Sequence, residues 1–238
     1  MRRPPRPTAG LYTEDTALEN RADSFDGAGG DRRQRLIEAL VARHYAVAPG
    51  YFPAHLISAL RREALLREQR GEFQIAGIGR RLDHQHNRRV RRDRTRWLDG
   101  TTLAQCCLFE ELEQLRLAFN RSLFLGLFDL EAHFALYDPG AFYRRHLDAF
   151  NGNNGRVLSV VVYLNDGWRA EQGGRLRIWP SANALHPAIE VMPRAGTLVC
   201  FLSDRIPHEV LEARRRRVSI AGWFRRNTTT ADRLDPPR

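Results

Sequence analysis

The chain has 238 residues, of which 42% are hydrophobic, so it can form one sizeable domain with additions or two small domains. It contains no run of about 18 apolar residues, which argues against a transmembrane helix, and its basic N-terminus lacks the apolar segment of a secretory signal. The formal net charge is +10, from 38 basic and 28 acidic residues, and all of the basic residues are arginine.

The basic excess raises the question of nucleic-acid binding. The arginines are interspersed with acids, however, and the complete absence of lysine indicates a bias that acts along the whole chain rather than a dedicated patch. We therefore expect neither nucleic acid nor a membrane as the partner. Without lysine, any anionic ligand has to be held by arginine, backbone amides or hydroxyl groups.

The cysteine pattern argues against a disulfide framework and against a zinc site built on cysteine. Cys106 and Cys107 are adjacent in a segment with helical periodicity, and Cys200 lies in an apolar run where a small buried side chain is expected. The odd count and this spacing favour a reducing, cytoplasmic setting.

The first half of the chain predicts a tail and three helices. Residues 1–31 are rich in Pro, Gly and Asp and predict a disordered tail. Helices are predicted from Asp31, with Leu36, Ile37, Leu40 and Val41 on one apolar side, from Pro53 to Gly71, and from Thr101 to Leu125. Between the second and third helices, residues 73–100 predict strand pieces and a long charged loop. His84 and His86 in this loop have the spacing of a metal pair, but in a polar loop such a pair is more often solvated.

The second half predicts short strands separated by Gly, Pro and Asn turns, which is typical of a sandwich or jelly roll. The predicted strands are 130–137, 141–148, 156–165, 174–180, 188–193, 197–203, 207–213 and 216–226. The organisation expected from this pattern is a tail (1–31), a helical support region with a substrate loop (32–127), a β domain (128–227) and a second tail (228–238).

Three residues of the β domain have the chemistry of a metal site. His146 and Asp148 are two residues apart at the end of a predicted strand, so their side chains can point to one side. His208 begins another strand 60 residues later. Two histidines and one carboxylate form the facial triad of non-haem Fe(II) sites, which leaves coordination positions open. His146, Asp148 and His208 are called the triad below; by itself the pattern also fits a surface His–Asp hydrogen bond.

An arginine on the last predicted strand is singled out by its register. Arg217, Ser219, Ala221 and Trp223 share one face of that strand, and the alternate residues form an apolar core face. One arginine beside two small residues leaves room for a ligand carboxylate, which a guanidinium can bind in a bidentate manner. The preceding arginines, 214–216, are interpreted as a solvated charge run.

The segments YRRHLD, VYLNDGW, GGRLRIWP, SDRIPHEV and RVSIAGWF, in this order and spacing, resemble the 2-oxoglutarate- and Fe(II)-dependent dioxygenases of the prolyl 4-hydroxylase type. The similarity is to the oxygen-sensing prolyl hydroxylases of animals and their bacterial relatives. It covers about residues 130–226 and extends weakly upstream to RRDRTRWLDG. It implies an α+β fold in which a double-stranded β-helix, or jelly roll, is supported by N-terminal helices.

The resemblance also implies roles for individual residues. It implies that the triad binds iron, that Arg217 and Tyr163 bind the distal carboxylate of 2-oxoglutarate, and that Tyr137 contacts the same co-substrate. The positions that would contact the target proline, or belong to the loop that closes over it, are Tyr143, Arg156, Trp223, Asp93 and Trp97.

The function implied by the resemblance is hydroxylation of a prolyl residue in a protein or peptide. Its cofactors would be Fe(II), 2-oxoglutarate and O₂, with ascorbate as the reductant. Two alternatives stay open: the same chemistry on a free amino acid or a nucleobase, and a catalytically silent jelly roll that binds metal or nucleic acid. Trp179 and Phe201 are interpreted as core residues, and His133 and His186 as structural or exposed.

Overall fold

The computed structural model describes residues 32–77, 87, 89–149 and 155–229, which all belong to one unit of the chain, residues 31–238. The predictions for the tail 1–31, for Asp31, for His84 and His86, and for the chain beyond residue 229 lie outside the described residues. None of the helices in the described ranges has the length and apolar character needed to cross a membrane.

The described chain forms three helices and eleven strands. In chain order they are α1 (Arg32–Arg43), β1 (Tyr45–Ala48), α2 (Ala54–Gln69), β2 (Gln74–Ile75), β3 (Arg94–Trp97), α3 (Leu103–Leu123), β4 (Asp129–Tyr137), β5 (Tyr143–His146), β6 (Arg156–Tyr163), β7 (Leu176–Ile178), β8 (Ile189–Val191), β9 (Leu198–Leu202), β10 (His208–Val210) and β11 (Arg217–Arg225). All three predicted helices and all eight predicted strands of the second half are confirmed.

The helices follow from local signals. On α1, Leu36, Ile37 and Leu40 are buried at helical spacing, whereas Val41 is 64% exposed, so its predicted place on the apolar side is wrong. Helix α3 begins after Thr102, whose hydroxyl accepts a hydrogen bond from the backbone N–H of Gln105. This side-chain cap satisfies one of the free N–H groups of the first turn.

Two antiparallel sheets form the β part. The larger sheet has the order β1-β9-β6-β11-β4-β3-β2, and the smaller sheet has the order β5-β10-β7-β8. Three strands of the larger sheet, β1 to β3, precede residue 100 and its other four strands follow residue 127, so this sheet contains strands from both sides of the expected boundary. The double-stranded β-helix that the resemblance implied is confirmed by this arrangement and by the structural comparisons below.

The space between the sheets is filled by side chains from both. A single buried cluster includes Tyr137, Tyr163 and Phe201 from the larger sheet and Ile178 and Val210 from the smaller sheet. Strands of both sheets therefore have their positions fixed by the same core, which makes the gap between the sheets a rigid place for a site.

A buried amide ties together the segments that lead into β11. The side-chain oxygen of Asn165 accepts a hydrogen bond from the backbone N–H of Val218 at 2.7 Å, and its side-chain N–H donates to the carbonyl of Pro193 at 2.9 Å. The residue is buried, so neither backbone group can turn to water instead. Asn165 therefore fixes the start of β11, where Arg217 is located.

Replacing Asn165 with alanine is expected to lower the free energy of unfolding by about 2–6 kcal/mol, because two buried backbone groups lose their partner at about 1–3 kcal/mol each. Urea unfolding followed by circular dichroism measures this change. The matched control is Asn227→Ala, which removes only an exposed hydrogen bond to the N–H of Thr229 and is expected to change stability by less than about 0.5 kcal/mol. Equal unfolding midpoints for the two variants would contradict the role of Asn165.

Candidate functional site

The two histidines of the triad face each other because of strand pairing. His146, the last residue of β5, is the register partner of His208, the first residue of β10, in the antiparallel pair of these strands. Their ring centroids lie 4.2 Å apart. Residues 62 positions apart in the chain are thus held side by side by backbone hydrogen bonds rather than by the side chains themselves.

Both histidines have the same tautomer imposed on them by the backbone. Nδ1 of His146 lies 2.7 Å from the carbonyl oxygen of Arg144, and Nδ1 of His208 lies 3.1 Å from that of Ile206. A carbonyl oxygen can only accept, so Nδ1 of each ring carries the proton and donates it. The lone pair of each neutral ring is therefore on Nε2, the nitrogen that points toward Asp148.

Asp148 completes a cluster with the spacing of metal ligands. Nε2 of His146 is 3.5 Å from one carboxylate oxygen of Asp148, and Nε2 of His208 is 3.6 Å from the other. These distances are too long for good hydrogen bonds, whereas two ligands at a right angle around a metal are about 3 Å apart. Among the described residues, the triad is the one group of three or more such side chains close enough to hold a metal ion.

The electrostatics keep Asp148 and His208 in the form that binds a cation. Burial opposes ionisation of Asp148, but His208, His146 and Arg156 outweigh it and hold the pKa of the Asp148 carboxyl well below its usual range. Burial, together with the neighbouring His146, lowers the pKa of His208 to about 4. At neutral pH the site therefore offers a carboxylate and a neutral imidazole of His208.

Aromatic rings fix the orientation of both imidazoles. The ring of Tyr143 stacks on His146 with centroids 3.5 Å apart, and the ring of Phe201 lies 4.4 Å from that of His208. Phe201 is buried, as the sequence predicted, but it also contacts a member of the triad, which the sequence did not predict.

Arg217 is a buried cation in the same space between the sheets. It is 1% exposed, its Nε donates to the carbonyl of Gly174, and one terminal nitrogen donates to the hydroxyl of Ser219. Its guanidinium lies over the rings of Tyr137 and Tyr163, 4.8 and 5.0 Å from their centroids. No carboxylate in the described part of the chain lies within ion-pair distance of it.

The glycine beside Arg217 is needed for close packing. A Cβ atom at Gly174 would lie 3.1 Å from Cδ of Arg217 and 3.3 Å from the ring of Trp168, and the backbone there has a positive φ of 65°. Only glycine accepts both conditions at low cost.

These residues fit an anionic co-substrate next to a divalent metal. A buried guanidinium without a counter-ion is costly, and a ligand carboxylate would neutralise it. The hydroxyl of Tyr163 is also buried and forms no hydrogen bond with any described residue. Burial raises the pKa of Tyr163 to about 12, so this hydroxyl is a neutral donor for such a carboxylate. The donor set of the triad, two nitrogens and one carboxylate, is that of non-haem Fe(II) sites with open positions.

Three of the predicted substrate residues pack together near the C-terminal end of β11. The guanidinium of Arg156 lies 3.5 Å over the ring of Trp223, and Trp97 lies 6.5 Å from the same ring. Arg156 also donates to the buried carboxylate of Glu131 at 2.8 Å. His133 packs between the two tryptophans, and burial lowers its pKa to about 4. His133 is therefore structural, as the sequence predicted.

Asp93 lies where a substrate would not reach it. It is fully buried, and its two oxygens accept hydrogen bonds from Arg91 at 2.8 and 2.6 Å. Arg91 in turn lies over the ring of Tyr143, which stacks on His146. Asp93 is thus linked to His146 of the triad through Arg91 and Tyr143. Trp97, the other residue predicted for the closing loop, is partly exposed.

Two serines near the triad were missed by the sequence analysis. The hydroxyl of Ser159 donates to Asp148 at 2.6 Å, and it lies 2.9 Å from the hydroxyl of Ser203. A usable signal existed, since Ser159 interrupts the apolar run of β6 and Ser203 directly follows that of β9. A hydroxyl in a buried strand needs a partner, and here the partner is a member of the triad.

Comparison with known proteins agrees with this geometry. The profile of the 2OG-Fe(II) oxygenase superfamily matches residues 132–225, which include the triad and Arg217. "Egl nine homolog 1" of Rattus norvegicus is 42% identical over 87 residues, which are 36% of this chain and 25% of that protein. The aligned segment is thus only a quarter of the length of this curated relative.

Two solved structures cover most of the chain. A prolyl-4-hydroxylase of Pseudomonas putida is 42% identical with a TM-score of 0.73, over 82% of this chain and 98% of that one. A prolyl hydroxylase of Trichoplax adhaerens, solved with a peptide fragment of the hypoxia inducible factor oxygen degradation domain, is 25% identical with a TM-score of 0.74, over 81% and 88% of the two chains. The chain belongs to the 2-oxoglutarate- and Fe(II)-dependent oxygenases, in the group that includes the bacterial prolyl-4-hydroxylase and the animal prolyl hydroxylases.

Proposed function

We propose that this protein hydroxylates a prolyl residue in a protein or peptide, with Fe(II) and 2-oxoglutarate. The observation that carries the proposal is the pairing of a complete triad with a buried arginine that has no carboxylate partner in the described chain. A metal-binding module would need the triad but would have no use for a buried cation aimed into the same space. The similarity to prolyl hydroxylases over most of the chain supports proline as the target.

The metal would be held by Nε2 of His146, Nε2 of His208 and the carboxylate of Asp148. When bound, Fe(II) and 2-oxoglutarate supply the oxidative decarboxylation in which O₂ is consumed, succinate and CO₂ form, and one oxygen atom is inserted into a C–H bond of the substrate. Arg217 would bind the distal carboxylate of 2-oxoglutarate, and the Tyr163 hydroxyl would donate a hydrogen bond to it. Tyr137 contributes its ring to the pocket around the guanidinium.

The apolar residues around the site exclude water. Phe201 and Ile178 line the interior between the sheets, and Ile206 is buried directly after the turn at residues 203–205, two residues before His208. Exclusion of water favours a productive reaction with substrate over side reactions of the oxidant.

The face that would receive the peptide is formed by Tyr143, Arg156, Trp223 and Trp97. The indole N–H of Trp223 is buried and has no acceptor among the described residues. Asp93 contributes to this face through Arg91 and Tyr143 rather than by contact with the peptide.

A reducing cytoplasm and ascorbate as reductant suit an enzyme with three free cysteines and a redox-active metal.

The variant His208→Ala is expected to abolish the Fe(II)-dependent conversion of 2-oxoglutarate to succinate. Residues that only support a ligand typically change metal affinity or activity by about 10–100-fold, so loss of a ligand is expected to cost more than that. The assay measures succinate in the presence of Fe(II), ascorbate, air and proline-containing peptides. His186→Ala, at an exposed position, is the control and should retain full activity. Iron-dependent succinate from the His208→Ala variant would rule out the triad.

The variant Arg217→Ala is expected to raise the 2-oxoglutarate concentration for half-maximal activity by roughly 10–100-fold, because hydrogen bonds to a charged group contribute about 1.5–3 kcal/mol. Binding of 2-oxoglutarate to the Mn(II)-loaded protein, measured by calorimetry, should weaken by the same factor. Arg214→Ala removes an exposed arginine of the same run and should leave both values unchanged. If the two variants behave alike, the anchor for the carboxylate lies elsewhere.

The alternatives make different predictions in the same assays. Succinate formation that is stimulated by a free amino acid or a nucleoside, but by no peptide, would favour the same chemistry on another substrate. Tight, salt-dependent binding of DNA or RNA by a folded protein that forms no succinate would favour a silent binding module.

A further inference from the structure

The three ligands of the triad are held in two different ways. His146 and His208 are inside paired strands, so the backbone ladder fixes them. Asp148 lies two residues beyond the end of β5 and belongs to no strand. Its position must therefore come from interactions outside the ladder.

Two hydroxyl groups form a directed relay to the Asp148 carboxylate. The hydroxyl of Ser159 is 2.6 Å from one oxygen of Asp148 and 2.9 Å from the hydroxyl of Ser203. A carboxylate oxygen only accepts, so Ser159 gives its single hydrogen to Asp148, and Ser203 must donate to Ser159. Both serines are buried, at 1% and 0% exposure, so water does not compete for these bonds.

The same end of β9 also holds the backbone next to Asp148. The carbonyl of Ser203 accepts a hydrogen bond from the N–H of Ala149 at 3.1 Å, and the N–H of Ser203 donates to the carbonyl of Val157 on β6 at 3.0 Å. Ser203 thus connects the segment that carries Asp148 to two central strands of the larger sheet. This makes the larger sheet the support for the one ligand that the smaller sheet does not hold.

We propose that Ser159 and Ser203 are positioning residues that fix the carboxylate of Asp148 for metal binding. Ser159 would set the rotation of the carboxylate, so that it faces Nε2 of both histidines at once, and Ser203 would set the direction in which the Ser159 proton points. The proposal concerns the metal affinity of the triad, and it stands whether or not proline is the substrate.

The test is the affinity of the full-length protein for Mn(II), measured by electron paramagnetic resonance without 2-oxoglutarate or peptide. Ser159→Ala is expected to weaken Mn(II) binding by about 10–100-fold, as found for other partners of metal ligands. Ser203→Ala removes only the second bond of the relay and is expected to weaken binding by roughly 2–10-fold. Ser159→Thr keeps the hydroxyl and should stay within about threefold of the original protein.

Thr197→Val is the matched control, because it removes a buried hydroxyl at the start of β9, away from the triad. The absorption spectrum of the Co(II)-loaded protein gives a second readout, and its d–d bands should shift in Ser159→Ala but not in Thr197→Val. Unchanged Mn(II) affinity in Ser159→Ala would overturn the proposal. The proposal would also be overturned if Ser159→Thr lost as much Mn(II) affinity as Ser159→Ala while its unfolding midpoint stayed unchanged. If Ser159→Ala fails to fold, the test uses Ser203→Ala instead, and an unchanged Mn(II) affinity of that variant would overturn the proposal.

The arginines near the site differ in whether they have a carboxylate partner. On the face formed by α2 and β3, arginines have carboxylate partners: Arg67 pairs with Glu63, Glu72 and Asp99, and Arg94 pairs with Glu68 and Asp138. On β5, directly before His146, the pattern is the opposite. Neither Arg144 nor Arg145 lies within ion-pair distance of a carboxylate in the described ranges.

The two β5 arginines are positioned by groups that leave their charge uncompensated. Arg144 is exposed and lies over the ring of Phe142 at 4.5 Å. Arg145 lies over the ring of Trp179 at 4.0 Å and donates to backbone carbonyls of Ser181, Ala182 and Ala184.

From this charge distribution we infer that the preferred substrate is a peptide with acidic residues next to the target proline, an inference that rests on the proposed function. The probes are synthetic proline peptides that differ only in Glu, Gln or Arg at the flanking positions. Binding to the protein loaded with Mn(II) and 2-oxoglutarate is measured by fluorescence anisotropy. The Glu peptide is expected to bind roughly 3–10-fold more tightly than the Gln peptide at low salt, and the difference should shrink as salt is added.

Arg144→Glu is expected to remove or reverse this preference, whereas Arg62→Glu, at an exposed position of α2, should preserve it. Equal binding of the three peptides, or a preference for the Arg peptide, would overturn the inference. Because the readout is binding, a protein that prefers the Glu peptide but does not hydroxylate it would refute the proposed function and leave the charge preference standing.

Discussion

The pairing of His146 with His208 across β5 and β10 is the constraint on which the rest of the site depends. It brings together two residues far apart in sequence, and it does so through backbone hydrogen bonds that do not depend on a metal. Each ring then donates Nδ1–H to a backbone carbonyl two residues before it, so the local backbone leaves Nε2 as the nitrogen with a lone pair that can bind a metal. The site is therefore largely preorganised by the fold.

The larger sheet supplies the residues that surround the two histidines of the smaller sheet. It contributes the buried cation Arg217 from β11, the Tyr163 hydroxyl from β6, and the serine pair that holds Asp148. Asn165 and Gly174 secure the segments around Arg217 by hydrogen bonding and by close packing. Among the described residues, Arg217 has no carboxylate partner and the Tyr163 hydroxyl has no hydrogen bond, which is costly for an isolated fold, and a bound dicarboxylate would compensate both.

Much of this arrangement could be predicted from the sequence. Alternating apolar residues between turn signals gave the eight strands of the second half, and the register of β11 singled out Arg217 because its neighbours on that face are small. The spacing of His146 and Asp148, with His208 at a strand start, gave the triad. What the sequence could not give is the pairing of strands that are distant in the chain, because hydrogen-bond partners across a sheet leave no local pattern.

The residues that were missed or misplaced also depend on contacts in space that a local sequence pattern does not show. Val41 has helical spacing but faces solvent, since the position of the helix on the sheet decides which part of its surface is covered. Asp93 looked like a loop residue and is instead buried against Arg91. Ser159 interrupts an apolar strand and Phe201 lies within one, but only their neighbours in space show that they contact members of the triad.

The most direct measurement is mass spectrometry of proline-containing peptides after incubation with the protein, Fe(II), 2-oxoglutarate, ascorbate and oxygen-18 gas. The account predicts that one oxygen-18 atom is incorporated at a proline of the preferred peptides, with an equal amount of succinate formed, and that neither product is formed by His208→Ala. Absence of the label from every prolyl residue, with a folded protein that binds both metal and 2-oxoglutarate, would contradict prolyl hydroxylation as the function of this site.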